Sequence, residues 1–337
     1  MPRHHTRKSQ ARPTLLLILL LGLIGVGLLG AALWDRHERQ LESARYEGES
    51  LYSPERYSVT LNGRSYQLRD GLECFLLMGL DSFSTEKTEP DAFRNDQQAD
   101  FLFLLVVDHS TQSCCALHIN RDTMAEIDRY GLAGRRLKGF TGQLALSHTY
   151  GSGKNDSCRY TCDAVSRLLL GLPIRHYLSL TMDAIPVLND LVGGVKVTIE
   201  DDFSNSDPTL IQGQTQTLHG KQALTFVRAR GHMNDSSNLN RMKRQRVYMQ
   251  ALYETLTGKL RADEDLGLRL ARELSDFMVS DLSVEELSAL AEKLKDYRYD
   301  GVLTIEGEAK RGEKYMEFYV DTDALQTLLT SLVLEEY

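Results

Sequence analysis

The chain has 337 residues, a formal net charge of −8, 42% hydrophobic residues and 26% charged residues. This length and apolar fraction suit one sizeable globular domain, with room for a small appendage. The acidic balance argues against nucleic-acid binding by bulk electrostatic attraction, because that function requires a basic domain. Any anion that the protein binds must therefore be recognised locally.

The first predicted element is an apolar segment near the N-terminus. Leu15–Leu33 carries no charged residue, and at about 1.5 Å per residue it matches the hydrocarbon thickness of a bilayer. Basic residues precede it without an acidic one, which favours a cytoplasmic N-terminus and an extracellular remainder. A cleavable signal peptide is the alternative, but the apolar run is longer than an ordinary signal core. We predict a cytoplasmic tail over 1–13 and a single-pass transmembrane helix over 14–34, in the cell membrane.

Strand and helix patterns alternate after this anchor. A spacer and a hairpin turning at Asn62-Gly63 occupy 35–71. We predict strands over 74–80, 101–108, 114–119, 177–182, 195–199, 223–230, 299–305 and 315–320, the last two paired as a hairpin. We predict helices over 162–170, 184–191, 240–257, 283–295 and 323–334. Between the strands, 129–142 shows little pattern. This order predicts an α/β fold, a three-layer α-β-α sandwich around a central mixed sheet, with a catalytic domain over 72–258 and an extension over 259–337 that completes the sheet.

Five cysteines follow the predicted anchor. Cys158 and Cys162 are the best candidates for a disulfide by proximity, although their spacing on a helix gives poor disulfide geometry. Cys74 and the adjacent Cys114 and Cys115 lie in apolar runs, and we expect them in the core. A cysteine metal site is not expected, because no second cysteine pair or nearby histidine completes one.

The stretch 226–245 brings several arginines close to one turn. Its first five residues alternate like a strand, which predicts Arg228 and Arg230 on one side. A helix-like run then carries three polar side chains at spacings that put them on one face: Arg241, Arg244 and Gln245. Guanidinium groups suit phosphate oxygens, and like charges packed together are costly unless an anion compensates them. We interpret the stretch as a polyphosphate clamp; the alternative is that each arginine is solvated or pairs with a carboxylate.

Polar residues also follow the ends of predicted strands, a usual place for a site in an open α/β sheet. Asp81 and Asp100 stand at strand boundaries, and two such carboxylates suit Mg²⁺, which binds few carboxylates together with phosphate oxygens. Each aspartate alone is more often a turn or cap residue. Arg121 could join the clamp with Asp122 holding it in place, or the two could form a structural ion pair.

Several motifs in order resemble the LytR–CpsA–Psr (LCP) family of bacterial cell-envelope proteins. The motifs are Asn120-Arg121-Asp122-Thr123-Met124, His148-Thr149-Tyr150-Gly151, Leu191-Val192-Gly193-Gly194-Val195, Leu218-His219-Gly220, Phe226-Val227-Arg228-Ala229-Arg230 and Arg241-Met242-Lys243-Arg244-Gln245. The resemblance covers about 72–256, and the single N-terminal anchor agrees with it.

The resemblance implies a membrane-anchored phosphotransferase that moves a glycopolymer, such as teichoic acid or capsule, from an undecaprenyl-pyrophosphate carrier to peptidoglycan. It implies Mg²⁺ as cofactor, with Asp81 and Asp100 as metal ligands. It implies pyrophosphate binding by Arg121, Arg228, Arg230, Arg241, Arg244 and Gln245, and an apolar pocket for the polyprenyl chain. By this resemblance the catalytic residues are Asp81, Asp100, Arg121 and Asp122, and Asp81 or Asp122 is a candidate general base.

The sequence departs from the family pattern at several positions. Gln98-Ala99 replaces an arginine and a serine, and Asn238 replaces an aspartate; these changes remove charge from the site. Gln143 replaces a lysine, and Asn120 replaces a proline. Arg94, further upstream, is a candidate substitute for the missing arginine.

Two other functions compete with the transferase. One is a non-catalytic scaffold or regulator that binds the polyprenyl pyrophosphate, and the other is a lipid-linked pyrophosphatase in which water replaces the sugar hydroxyl. A transcription factor is not expected, because the predicted anchor puts the domain outside the cell and the net charge is acidic.

Overall fold

The computed structural model describes residues 57–82, 97–130, 136–151, 153–229 and 238–337. The segment from Pro54 to Tyr337 forms one compact unit. Its strands are β1 (Ser58–Leu61), β2 (Arg64–Leu68), β3 (Leu72–Leu80), β4 (Ala99–Asp108), β5 (Ser113–Ile119), β6 (Met124–Tyr130), β7 (Arg136–Gln143), β8 (His176–Thr181), β9 (Val195–Thr198), β10 (Thr215–Leu218), β11 (Met278–Ser280), β12 (Arg298–Thr304), β13 (Gly307–Arg311), β14 (Met316–Val320) and β15 (Leu334–Glu336).

Seven α-helices connect these strands in the described part of the chain. They are α1 (Lys154–Leu168), α2 (Ala184–Leu191), α3 (Lys221–Arg228), α4 (Asn238–Ala262), α5 (Leu266–Glu273), α6 (Val284–Leu294) and α7 (Thr322–Leu332). A 3₁₀ helix over Leu144–Tyr150 follows β7.

A six-stranded sheet forms the centre of the fold, in the order β11-β8-β3-β4-β5-β12. β3 pairs parallel with β8 and antiparallel with β4, β4 pairs antiparallel with β5, and β5 pairs parallel with β12. The predicted central mixed sheet and α/β class are therefore confirmed. Because β4 runs against its neighbours, its first residues meet the last residues of β3 and β5 at one end of the sheet.

Both faces of the sheet are covered by helices, because the central strands are apolar on both sides. On β3, Leu76 and Met78 belong to the large buried cluster that includes Cys162 of α1 and Leu329 of α7. Phe75, the residue before Leu76, faces the other way and packs in the cluster that contains Leu294 of α6. This alternation is what a strand buried on both faces requires.

Local sequence signals fix several element boundaries as predicted. Asn62 and Gly63 have positive φ angles of 50° and 79°, which is the backbone of a two-residue hairpin turn between β1 and β2. Ser283 begins α6 with a complete capping box, in which its side chain accepts from the backbone N–H of Glu286 and the Glu286 side chain accepts from the backbone N–H of Ser283.

Two strand predictions are wrong. The predicted strand over 223–230 is the helix α3, because Ala223, Phe226 and Val227 are the buried residues and their spacing is helical. The predicted hairpin between 299–305 and 315–320 does not form. β12 instead pairs with β5 in the central sheet, and β14 pairs with β13.

Two further expectations are corrected. The segment 129–142, for which we expected little pattern, contains the end of β6 and nearly all of β7, which pair antiparallel. The suggested disulfide is absent: Cys158 and Cys162 are buried free thiols one turn apart on α1, and the Cys158 thiol lies 3.5 Å from the Ser179 hydroxyl, to which it donates.

The predicted membrane anchor, 14–34, lies outside the described residues. Within those residues, no helix combines the length and the apolar character needed to cross a bilayer.

Candidate functional site: arginines and aspartates at the end of the central sheet

The end of the sheet where β3 and β5 finish gathers the predicted carboxylates and one predicted arginine. Asp81 directly follows β3, Asp100 is the second residue of β4, and Arg121 and Asp122 follow β5. Leu80 and Ala99 are paired across β3 and β4, so Asp81 and Asp100 lie on adjacent strands at this end. Strand topology alone therefore brings these side chains together.

Arg121 is held between two carboxylates. Its Nη1 donates to Asp100 Oδ1, and its Nε donates to Asp122 Oδ1 at 3.2 Å. The side chain of Arg121 is 17% exposed, so part of the guanidinium reaches solvent while the rest is fixed. Both sequence interpretations of the pair are compatible with this geometry, because an arginine fixed by two carboxylates can still present its open edge to an anion.

Arg241, near the start of α4, approaches the same aspartate from the other side. Its Nη1 lies 3.7 Å from Asp100 Oδ2, and its Nη2 donates to Asn238 Oδ1 at 2.6 Å. Its side chain is only 5% exposed. Asp100 therefore joins the helix α4 to the loop after β5 by receiving a guanidinium on each carboxylate oxygen.

Three of the departures from the family pattern form part of this same network. Asn238 Nδ2 donates to Asn120 Oδ1 at 2.7 Å, and the backbone N–H of Asp122 donates to the same oxygen at 3.0 Å. Gln143 Nε2 donates to Asp122 Oδ1 at 3.0 Å. The side chains at positions 120, 143 and 238 thus connect around Arg121 as neutral amides.

Arg228 is the most accessible of the predicted arginines that the structure describes. It is the last residue of α3, its side chain is 55% exposed, and its Nη2 lies 3.3 Å from Asp81 Oδ1. Asp81 is 62% exposed, so this ion pair is open to solvent. Arg230 lies outside the described residues.

Arg244 and Gln245 are buried with Arg241 on one face of α4, as the spacing predicted. All three nitrogens of the Arg244 guanidinium bind protein atoms. Nε donates to the Phe226 carbonyl at 3.0 Å, Nη2 donates to the Ala229 carbonyl, and Nη1 pairs with Asp201 at 2.7 Å. Gln245 Nε2 donates to the Val227 carbonyl at 3.4 Å. These two side chains attach the end of α3 to α4.

The charge balance of the site differs from the expectation that a bound anion must compensate the arginines. Arg121 and Arg241 share Asp100, Arg228 pairs with Asp81, and Arg244 pairs with Asp201. Carboxylates of the protein therefore already supply compensation. The cost of packing like charges is not by itself an argument for a bound phosphate.

A metal ion would have two carboxylates at this end of the sheet, Asp81 and Asp100. The described residues contain no group of three or more histidine, cysteine, aspartate or glutamate side chains arranged to hold a metal. Mg²⁺ is bound in many phosphate-processing sites by one or two carboxylates, with water and substrate phosphate completing its six oxygen ligands. Two carboxylates match such a donor set, but their oxygens here contact Arg121, Arg241 and Arg228, which a metal would have to displace.

Two side chains next to the site were not singled out in the sequence. His118 on β5 is 2% exposed, and Arg246 on α4 is partly buried. Both line a cavity of about 750 Å³ that also touches Asn120 and Met242. Desolvation by burial, together with the charges of Arg246 and Arg241, lowers the pKa of His118 to about 3, so its imidazole is neutral. A polar residue at an inward-facing position of an apolar strand was the available sequence signal.

The fold and this site define an α/β protein with a cluster of arginines and aspartates at the end of a mixed sheet. A model of the LytR_cpsA_psr family matches residues 40–333. The chain belongs to that family.

Relatives and solved structures agree with this family. The polyisoprenyl-teichoic acid–peptidoglycan teichoic acid transferase TagU of Enterococcus faecalis is 24% identical over 286 residues, which cover 84% of this chain and 81% of TagU. B. subtilis TagV matches with a TM-score of 0.60 at 21% identity, over 79% of this chain and 97% of TagV. TagT bound to LI-WTA matches with a TM-score of 0.59 at 20% identity, over 78% of this chain and 90% of TagT. The two structural matches show that the fold is shared.

Proposed function

We propose that this protein is a membrane-anchored phosphotransferase that moves a cell-wall glycopolymer from an undecaprenyl-pyrophosphate carrier to peptidoglycan. Family membership and the transferase activity named for the relative TagU support the reaction class. The observation that carries the proposal is the pair of accessible guanidinium groups, Arg121 and Arg228, which Asp100, Asp122 and Asp81 hold at one end of the sheet.

The site supports pyrophosphate binding through pre-positioned donors. Arg121 has its Nε and Nη1 fixed by Asp122 and Asp100, so little side-chain freedom is lost when its remaining edge binds an oxygen. Arg228 is exposed at the end of α3 and can leave Asp81 for a phosphate. Phosphoryl transfer relies mainly on positioning and on electrostatic stabilisation of the phosphate oxygens, which arginines supply.

A place for the polyprenyl chain is suggested by incomplete packing on one face of the sheet. Leu77 of β3 and Phe101 and Leu105 of β4 are only partly buried, although they lie on the two central strands. All three point to the face that α4 and α6 cover. An apolar chain lying there would remove these side chains from water, at about 25 cal/mol per Å² of apolar surface.

In this proposal Asp81 and Asp100 would hold Mg²⁺, which would neutralise charge on the phosphate oxygens when bound. The protein groups bind and orient. Arg121 and Arg228 would hold the leaving phosphate while a sugar hydroxyl of peptidoglycan attacks the other phosphorus atom. Asp81, exposed beside Arg228, is the candidate to accept the hydroxyl proton. The domain then acts outside the cell, next to the membrane that carries its substrate, with 14–34 as its anchor.

One assay separates the proposed activity from its two rivals. The full chain is purified in mild detergent and mixed with a labelled lipid-pyrophosphate-linked glycan, Mg²⁺ and peptidoglycan fragments. Label on peptidoglycan supports transfer. Release of free phosphorylated glycan would instead make the protein a pyrophosphatase, and tight binding without turnover would make it a scaffold.

Replacing the exposed arginine tests the pyrophosphate site itself. Arg228→Ala removes charge-assisted hydrogen bonds worth about 1.5–3 kcal/mol each, so we expect the Kd for geranylgeranyl pyrophosphate to rise about 10- to 100-fold. Titration calorimetry on the full chain measures it. Arg298→Ala is the matched control, because Arg298 is also an exposed, ion-paired arginine but lies at the start of β12, away from the site. Unchanged affinity in Arg228→Ala would contradict the site.

A further inference from the structure

The cavity beside the arginine and aspartate site has a mixed lining, in which apolar side chains such as Leu239, Met242 and Phe318 stand beside charged ones. It is lined by Asn120, the residue before Arg121, and lies between the start of α4, the ends of β5 and β12, and the pair β13–β14. Its volume of about 750 Å³ falls within the range of roughly 300–1,000 Å³ usual for small-ligand pockets. Its position places any occupant next to the proposed phosphate site.

Two nitrogen-bearing side chains in the wall of this cavity have nitrogens without a hydrogen-bond or ion-pair partner among the described residues. His118 is 2% exposed and its Nδ1 has no hydrogen-bond partner in the described part of the protein. Its ring is fixed by Phe101 and Phe103, at centroid distances of 5.0 and 5.8 Å. A buried imidazole nitrogen without a hydrogen-bond partner is costly, so this wall of the cavity favours a polar group of a ligand or a water molecule.

Arg246 adds a cation to the same wall. Within the described residues it makes neither an ion pair nor a hydrogen bond, in contrast to Arg121, Arg241 and Arg244 on the neighbouring surface. Burial lowers the pKa of Arg246, and no carboxylate contact opposes this effect. A partly desolvated guanidinium without a counter-ion favours an anionic oxygen in the cavity.

The opposite wall carries groups suited to hydroxyls and to a sugar ring. Glu306 lines the cavity with a carboxylate that makes no ion pair or hydrogen bond within the described residues. Tyr319 also lines it and is 43% exposed. Carboxylates accept hydrogen bonds from hydroxyl groups, and an aromatic side chain offers an apolar surface to the C–H groups of a sugar ring.

These features argue against two other occupants of the cavity, a polyprenyl chain and a pyrophosphate. A polyprenyl chain would bury the guanidinium of Arg246 and the carboxylate of Glu306 without partners. A pyrophosphate carries several negative charges, whereas Arg246 is the one lysine or arginine among the described lining residues, which also include Glu306 and Asp321. A single negative charge on a body with many hydroxyl groups satisfies both walls.

We propose that this cavity is a subsite for an acidic sugar unit of one of the two glycan substrates, with the acidic group on Arg246 and His118 and the hydroxyls on Glu306. This inference rests on the proposed function for the source of the sugar and extends it by naming the substrate chemistry. The sugar belongs either to the acceptor glycan or to the transferred glycopolymer, and both would present the same chemistry to the cavity.

The test compares acidic sugars with their neutral counterparts on the full chain in mild detergent. N-acetylmuramic acid is paired with N-acetylglucosamine, and glucuronic acid is paired with glucose, with binding followed by saturation-transfer NMR and titration calorimetry. We expect at least one acid to bind about tenfold more tightly than its neutral partner. Preference for N-acetylmuramic acid assigns the subsite to acceptor muramic acid that carries no stem peptide, because an amide-linked lactyl group has no charge. Preference for glucuronic acid assigns it to the donor glycopolymer. Equal binding within both pairs would overturn the proposal.

Three variants connect the preference to the cavity. Arg246→Gln and His118→Phe should each weaken binding of the preferred acid about tenfold, and His118→Phe retains an aromatic ring beside Phe101. Lys243→Gln is the control, since Lys243 is exposed, is not among the residues that line the cavity and pairs with Glu200. Wild-type affinity for the acid in both cavity variants would also overturn the assignment.

Failure of this inference is distinguishable from failure of the proposed function. Geranylgeranyl pyrophosphate should bind Arg246→Gln as it binds the wild type, and it should bind Arg228→Ala weakly. If the wild type bound the acidic sugar but not the lipid pyrophosphate, the subsite would stand and the proposed function would fall. If only the lipid pyrophosphate bound, the subsite would fall alone.

Discussion

The role of Asn238 in the structure is set by its hydrogen bonds to Asn120 and Arg241. Its amide NH₂ donates to Asn120 Oδ1, and its own Oδ1 accepts from Arg241. The orientation of Asn120 is fixed independently, because its Oδ1 also accepts the backbone N–H of Asp122. An aspartate at 238 would strengthen the contact with Arg241 but would face the oxygen of Asn120 without a donor. The two departures from the family pattern, at 120 and 238, therefore depend on each other.

A double-mutant cycle tests this dependence. Asn238→Asp alone should destabilise the fold by about 1–3 kcal/mol, because a partly buried carboxylate faces an acceptor. In an Asn120→Ala background the same change should cost less, giving a coupling energy of about 1 kcal/mol. Urea unfolding of the four proteins measures both quantities. Additive effects would show that the two asparagines are independent.

The sequence predicted the residues at strand ends better than those inside elements. Asp81 and Arg121 follow strongly apolar runs, and Asp100 precedes one. The ends of such runs are easy to place, and the mixed sheet brings these three together. Arg246 carries no such signal, because only the tertiary packing of α4 distinguishes a cavity-lining arginine from a solvated one. Arg244 shows the same limit, since a buried face on a helix does not reveal whether a guanidinium binds a ligand or the protein.

At the scale of elements, the position of Arg228 depends on how the end of α3 packs against α4. The strand prediction for 223–230 was wrong because it followed the alternation of the last five residues. The helical spacing of Ala223, Phe226 and Val227, which begins earlier in the sequence, indicates the helix that the structure contains. A helix is not held in place by strand pairing, so α3 needs other contacts at its end. Arg244 supplies them by binding the carbonyls of Phe226 and Ala229 together with Asp201.

Replacing the guanidinium of Arg244 by the ammonium group of lysine tests whether Arg244 fastens the end of α3 to α4. Arg244→Lys can keep one of the three contacts, so we expect a loss of about 2–4 kcal/mol in the free energy of unfolding and weaker lipid-pyrophosphate binding through displacement of Arg228. Arg261→Lys, the same change at an exposed position of α4, should stay within about 0.5 kcal/mol. Chemical unfolding and calorimetry give the two readouts. Equal stability losses in both variants would contradict a fastening role for Arg244.

At the scale of the molecule, the C-terminal segment supplies both edges of the central sheet, β11 and β12. A polar network attaches it to the opposite end of the sheet from the site. Glu73 of β3 accepts from His109, whose other ring nitrogen lies 3.0 Å from the Tyr297 hydroxyl. Asp281, after β11, accepts from His176 of β8 at 3.0 Å. Strands distant in sequence are thus joined by contacts between histidines and carboxylates.

This network predicts how the stability of the whole fold depends on pH. The hydrogen bond to Asp281 raises the pKa of His176 above its ordinary value of 6.5, despite partial burial, with Glu73 adding to the effect. A raised pKa in the folded state means that the contribution is fully present below about pH 6.5 and is lost as the pH rises through the folded-state value. Asp281→Asn can still accept from the backbone N–H of Tyr177 but loses the charge pair. We therefore expect Asp281→Asn to lower the free energy of unfolding by about 1 kcal/mol at pH 5.5 and by clearly less at pH 8.5, measured by urea unfolding.

His219→Gln, a change at an exposed histidine of the β10–α3 turn, should leave the pH dependence of stability unchanged. An Asp281→Asn deficit that is constant or larger at pH 8.5 would show that the charge pair with His176 does not link the C-terminal segment to the sheet.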